Sequence, residues 1–527
     1  MRYSGLVANI MKFPPVLRRV LIPVWVLILI ISTIALAVEP SFAPADEVKK
    51  LIKEATKLTR AGLLVEAEAV LQRAIDLDPG RNEAKVEMAY VFVKERRLVD
   101  AYKMSFVVAQ AEPKNSRAFA VLGMTLLTAG RFREARTILY KALALNRNDH
   151  LAWSGCGLLD FYENNIPDSL TNLREAVAHE PNDPDYLFAL AQVSARSENY
   201  REAAAAYDQF LHISNSADTE RRARIKGLIN FLRFLGNIGS LYTNDGADQA
   251  KVPFELVGNR PIIMLRVNGK KDLLRFVLDT GSGISVISDA TAKRLKINPI
   301  SRGGFARGIG GNGKFEIVYG LLKQIDIGAV NVRSVPVYIR KFHSDGQQID
   351  GYIGLALISK FLTTIDYGDQ TFSLTLKAND TSQVRAAADL SLPLRLTSSG
   401  FLSGEVQLQG IESPLNFIVD TGASVSVISD RVSKTEGISP FANVEKLRVI
   451  GSAGVTDEVA TFMLPRVTFG KHSRDSIMAV ALDLDIINEA SGFEQAGILG
   501  GNFLKNYRLT FDFKNSTVIF VAIKPEN

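Results

Sequence analysis

The chain has 527 residues, 47% of them hydrophobic and 22% charged, a composition that excludes a disordered, collagenous or multi-span membrane protein. Its net charge of +6 is spread over the whole length without a run of five basic residues, so nucleic acid is not an expected partner. One cysteine, Cys156, excludes an intrachain disulfide and any multi-cysteine zinc site, and the five histidines never fall closer than 29 residues apart, so no metal and no cofactor is expected. The length suggests about three or four domains.

The first element is a targeting segment. Arg18 and Arg19 precede an uncharged run from Val20 to Val38, broken only by Pro23 and ended by Glu39 and Pro40. A helix of that length spans roughly 28 Å, nearly a bilayer core. Positive charge before the run and none after it places the remainder outside the cytoplasm. Ala35-Leu36-Ala37 also has the small-residue form of a cleavage site. Residues 1–38 are therefore a signal peptide or an uncleaved anchor, and both readings stay open. In either case the protein is expected to be exported, with the membrane a partner if the segment is retained.

Residues 46–240 carry a period of 34. Pro79, Pro113 and Pro181 lie at multiples of that spacing, with Arg147 and Asn215 in the vacant slots. Small residues recur at fixed offsets, as Ala55, Ala89, Gly123, Gly157, Ala191 and again as Ala67, Ala101, Ala135, Ser169, Ala203. Such offsets let two helices per unit approach closely, and the proline ends the second. Units of this kind stack into a solenoid because none can bury its apolar face alone. The pattern resembles the tetratricopeptide repeat family, with five repeats from 48 to 217 and a capping helix around Leu228–Leu235. The resemblance implies a concave surface for a protein partner. Cys156, between Gly155 and Gly157, is expected to be a packed small residue.

After about Asp245 the texture turns to period-2 strands. The segment from Phe276 to Asp289 recurs from Phe417 to Asp430 at an offset of 141, with nine of fourteen residues identical. Gly354 precedes Asp366 by twelve residues, as Gly500 precedes Asp512; the two late aspartates are expected to make turn or edge contacts. The expected organisation is a first lobe at 252–377, a linker at 378–391 and a second lobe at 392–527. An apolar strand running into Asp-Thr-Gly puts a carboxylate at a strand end, where glycine permits a tight turn. Two such halves around a two-fold axis would bring the aspartates together. Two carboxylates about 3 Å apart hold one proton between them, so one can activate a water while the other donates to a carbonyl.

These segments resemble the retropepsin-like aspartic proteases, here with two short lobes fused in one chain. The resemblance implies an all-β bilobal fold behind the α-solenoid, with Asp279 and Asp420 as the catalytic pair. Thr280 and Thr421 would lock the loops, and Gly281, Ser282, Gly422 and Ala423 would shape them. Ser282 against Ala423 would make the two carboxylates unequal if the serine bonds its aspartate. Glycine-rich tips, Gly308, Gly310, Gly311 and Gly313 in one lobe and Gly451 and Gly454 in the other, suit flaps over an extended peptide. Gly308 to Lys314 also fits a phosphate-loop pattern, but Phe315 replaces the Ser or Thr that holds Mg²⁺ and a strand follows where a helix is required. The expected function is that of an exported aspartic endopeptidase whose repeat arm recruits protein substrates or partners. The alternative is a non-catalytic binding or assembly protein with a retained protease fold. Export without disulfides, taken with the family resemblance, points to a bacterial periplasm, with residues 20–38 as a possible inner-membrane anchor.

Overall fold

Eleven helices open the described part of the chain: α1 (Ala45–Arg60), α2 (Leu64–Leu77), α3 (Asn82–Lys94), α4 (Leu98–Ala111), α5 (Ser116–Thr128), α6 (Phe132–Leu145), α7 (His150–Tyr162), α8 (Ile166–His179), α9 (Pro184–Arg196), α10 (Tyr200–Ile213) and α11 (Thr219–Leu235). They come from a computed structural model that describes residues 45–311, 314–343, 348–376 and 390–523. Residues 1–38, expected to be a signal peptide or anchor, lie outside the described residues, as do Gly313 and residues 378–389 of the expected linker. Among the described residues no helix is long and apolar enough to cross a membrane.

The first ten helices form five antiparallel pairs, and the small-residue marks sit where paired helices touch. Ala55, Ala89, Ala191, Ala67, Ala101, Ala135, Ser169 and Ala203 are all fully buried. A Cβ on Gly123 would lie 2.7 Å from Leu139, and one on Gly157 would lie 2.6 Å from Leu173, so only glycine permits those crossings. Pro79, Pro113 and Pro181 follow the ends of α2, α4 and α8 by two residues. Asn115 and Asp149 cap α5 and α7, accepting hydrogen bonds from the backbone N–H of Ala118 and Ala152, which satisfies donors left free at a helix start. Cys156 is buried, and burial pushes its thiol up to about 12, so it packs as a small apolar side chain.

The β region is two lobes of matched topology. In the first, Leu274–Leu278 runs parallel to Gly351–Ile353, which pairs antiparallel with Ser285–Ser288. In the second, Leu415–Val419, Gly497–Leu499 and Ser426–Ser429 repeat that arrangement. Each lobe also extends a long hairpin, Ser301–Arg307 with Lys314–Ile327 and Ala442–Gly451 with Gly454–Phe469. The lobes share a sheet: Phe361–Asp366 pairs antiparallel with Tyr507–Asp512, and the Thr364 and Thr510 hydroxyls meet at 2.9 Å across the junction. Leu390 and Ser391, placed by the sequence in the linker, already belong to a strand paired with Thr517–Ala522. Asp366 and Asp512 make turn contacts, accepting from the backbone N–H of Gly368 and Asn515.

Solenoid and β region form one compact unit. Phe493 of the second lobe is fully buried in the solenoid core, 4.9 Å from the Phe132 ring and 5.1 Å from the Tyr162 ring. Arg196 donates to the carbonyls of Thr397 and Ser398. On the first lobe α11 lies along the strand Ser301–Arg307. Gly227 approaches so closely that a Cβ would sit 2.2 Å from the Arg302 carbonyl oxygen.

Candidate active site

Asp279 and Asp420 each follow a buried apolar strand, and each backbone N–H donates to the strand behind it, to Ile353 and Leu499 respectively, at 3.0 Å. The strand pairing therefore fixes where each turn begins. Thr280 and Thr421, both fully buried, then tie the turns together. The Thr280 hydroxyl donates to the Val419 carbonyl and the Thr421 hydroxyl to the Leu278 carbonyl, both at 2.7 Å. Each hydroxyl oxygen accepts from the other threonine's N–H, at 3.1 and 3.2 Å. Four reciprocal bonds in a dry interior hold the lobes in register.

This lock lays each carboxyl over the opposite loop. A Cβ on Gly281 would fall 2.4 Å from the Asp420 carboxyl carbon, and one on Gly422 would fall 2.7 Å from an Asp279 oxygen. The same Gly422 Cβ would lie 3.1 Å from an Asp420 oxygen, so the two carboxyls converge on one point and each acts on the other's charge. Each keeps some surface open to solvent but is ringed by protein, so desolvation still acts on its charge.

Their surroundings differ. Burial, the charge of Asp420 and the bond to it hold Asp279 well above the usual carboxylate range, opposed by the Gly281 N–H and the Arg340 charge. Burial also raises Asp420, but a bond from Asp279 and the N–H groups of Gly422, Ala423 and Gly281 oppose it. The pair titrates as one unit, with the shared proton favoured on Asp279 and the carboxylate on Asp420. The expected route to inequality is corrected here. The Ser282 hydroxyl donates to the Ile284 carbonyl at 3.1 Å rather than to Asp279; backbone N–H groups set the difference.

The two glycine-rich tips meet. Ala453 N–H donates to the Ile309 carbonyl at 3.0 Å, and Gly311 N–H to the Thr456 hydroxyl at 2.8 Å. Gly310, at φ +89°, leaves no room for a side chain, since a Cβ would lie 2.4 Å from the Gly454 carbonyl oxygen. Gly308 lies against Ser452, and Gly451 against the Ile309 carbonyl. Ile309 packs into an apolar cluster that contains Ala423. A separate cavity of about 330 Å³ in the second lobe, lined by residues such as Leu392, Leu402 and Phe469, includes neither aspartate. Sequence reasoning missed Arg340, whose charge acts on Asp279, and Tyr352, whose hydroxyl lies in the field of the dyad. A basic residue closing the apolar run Ser334–Arg340 was the available signal.

A solenoid of paired helices joined to a bilobal β fold, with an aspartate pair at the lobe junction, is a helical-repeat region followed by an aspartic-protease-like region. The aspartyl protease family model matches residues 263–357 and 404–503, and tetratricopeptide repeat models match 116–149 and 157–218. Among solved structures, the chain is similar to the aspartic proteinase from Irpex lacteus, with 14% identity, 52% of this chain and 98% of that one covered, and a TM-score of 0.36. It is also similar to a thermophilic TPR protein in Thermus thermophilus, with 20% identity, 34% and 98% covered, and a TM-score of 0.30. No curated protein matches the chain.

Proposed function

We propose that the protein is an exported aspartic endopeptidase. Asp420 takes a proton from a water held between the carboxyls, while protonated Asp279 donates to the scissile carbonyl. The amide is hydrolysed without a covalent intermediate, through general acid–base catalysis. Thr280, Gly281, Thr421 and Gly422 hold that geometry, and the paired tips around Gly310 and Gly454 act as flaps over an extended substrate. The observation that carries the reading is the threonine lock that lays each carboxyl over the opposite loop, so that the two converge on one point. The repeat arm brings protein substrates or partners to the cleft, and residues 20–38 direct the chain out of the cytoplasm, to a bacterial periplasm.

The test is cleavage of a peptide library by the purified chain and by its Asp279→Asn and Asp420→Asn variants between pH 3 and 8. Loss of cleavage in each single variant supports the proposal. Equal inertness of all three proteins leaves a binding protein instead.

A further inference from the structure

The two halves of the cleft have matched backbones but unmatched side chains. In the first lobe Ser288 stands opposite Arg340 and Val286 opposite Tyr352. In the second, the same pairings set Ser429 opposite Leu482 and Val427 opposite Ile498. Two residues beyond Arg340 is Phe342, and two beyond Leu482 is Leu484. Three equivalent positions are therefore Arg, Phe and Tyr on one side and Leu, Leu and Ile on the other.

The contacts follow the chemistry. Phe342 and Tyr352 meet edge to face at 5.1 Å, and the Arg340 guanidinium lies 4.8 Å from the centre of the Phe315 ring, on the strand leaving the first tip. Across the cleft Leu482, Leu484 and Ile498 join one apolar cluster with Ala423, beside Asp420, and with Ile309 from the opposite tip.

Among the described residues, the Arg340 side chain has a ring to stack on but no carboxylate in an ion pair. Its Nε is buried without a hydrogen bond among the described residues, and the carboxyl whose charge acts on it is Asp279 of the dyad. The second lobe fills the same register position with Leu482, so the fold does not require a cation there. A guanidinium stacked on a ring keeps its N–H edge for a planar acceptor and stays charged. A carboxylate completes it best, because two parallel bonds form at once.

We propose that the cleft has two unlike subsites, a cationic aromatic one on the first lobe that takes Asp or Glu and an aliphatic one on the second that takes Leu, Ile or Val. The preferred peptide then presents an acidic and an aliphatic side chain on opposite sides of the dyad. This deepens the endopeptidase reading and rests on it for the peptide's place in the cleft.

The experiment titrates the full chain with peptides carrying a hydroxyethylene in place of the scissile amide. Glu, Gln or Leu stands on one side of it and Leu on the other, in both orders, and the matching amides are assayed for cleavage. The intact chain should bind the better Glu peptide about tenfold or more tighter than its Gln twin. Arg340→Leu should erase that ratio and Arg340→Lys should keep part of it. Leu482→Arg should raise affinity for a further peptide that carries Glu on both sides. An unchanged Glu-to-Gln ratio in Arg340→Leu, or no binding of any peptide, overturns the proposal. Cleavage without Glu preference overturns the subsite and leaves the hydrolase, whereas Glu-selective binding without cleavage does the reverse.

Discussion

Asp279 and Asp420 share a sequence frame but not an environment. Each carboxyl accepts one backbone bond, from Gly281 N–H at 3.0 Å and from Gly422 N–H at 2.7 Å, and the neighbouring amides of Ala423 and Gly281 further favour the Asp420 anion. Activity should therefore fall at low pH as Asp420 takes a proton and at high pH as Asp279 loses one, giving a bell-shaped profile in kcat/KM. Ser282→Ala should leave both limbs in place, because that hydroxyl bonds Ile284 and not the dyad; a displaced limb would contradict the assignment. The same shift bears on stability. A folded-state pKa above the unfolded value of about 3.9 contributes stability below that value and loses it as pH rises through the folded pKa. Asp279→Asn removes the burdened charge, so its melting temperature should exceed that of the unmodified chain at pH 8 and converge with it near pH 3. A lower melting temperature at pH 8 would count against a strained carboxyl.

Between residues and lobes, the threonine lock carries the geometry. Thr421→Val keeps the shape but removes the donor to Leu278 and the acceptor for Thr280 N–H. Leaving a buried donor and a buried acceptor unpaired should cost about 1–3 kcal/mol each, read as a lowered urea midpoint, and should reduce kcat more than it raises KM. A variant as stable as the parent would mean that water re-satisfies those groups. At this scale the sequence is most legible, because its signals are local or repeated. Ala67 and Ala101 mark helix contacts one period apart, and Asp279 and Asp420 sit in twin frames. What stayed hidden depends on chain segments that meet only in space. Nothing near Phe493 announces that its ring completes the core of a solenoid over three hundred residues upstream. The Ile309-to-Ala453 bond needs both tips in place before it can be seen. Ser391 reads as linker because it ends a polar stretch, and its strand becomes visible only when its partner Ile519 is in place.

At the scale of the whole molecule, the solenoid treats the two hairpins differently. Its last helix, α11, runs along the first one: the Ser301 hydroxyl donates to the Gly227 carbonyl at 2.7 Å, Arg224 donates to the Phe305 carbonyl, and Lys314 pairs with Glu220 at 2.5 Å. Phe231 stacks on Tyr319 at 4.6 Å between ring centres. Residues Ala442 to Lys446 of the second hairpin are instead exposed along their length. The repeat arm thus buttresses the first hairpin directly and reaches the second tip only through the first, and Gly227 is the contact on which that grip depends. Gly227→Ala places a methyl where the Arg302 backbone already stands; backbone cannot yield as a side chain can, so helix and strand must part at a cost of about 1–3 kcal/mol. Amide hydrogen exchange should then quicken across residues 301–311 while residues 454–469, paired within the second lobe, keep their protection. Equal quickening in both hairpins would show that the tips open as one body, and the asymmetric grip of α11 would then have no consequence for the cleft.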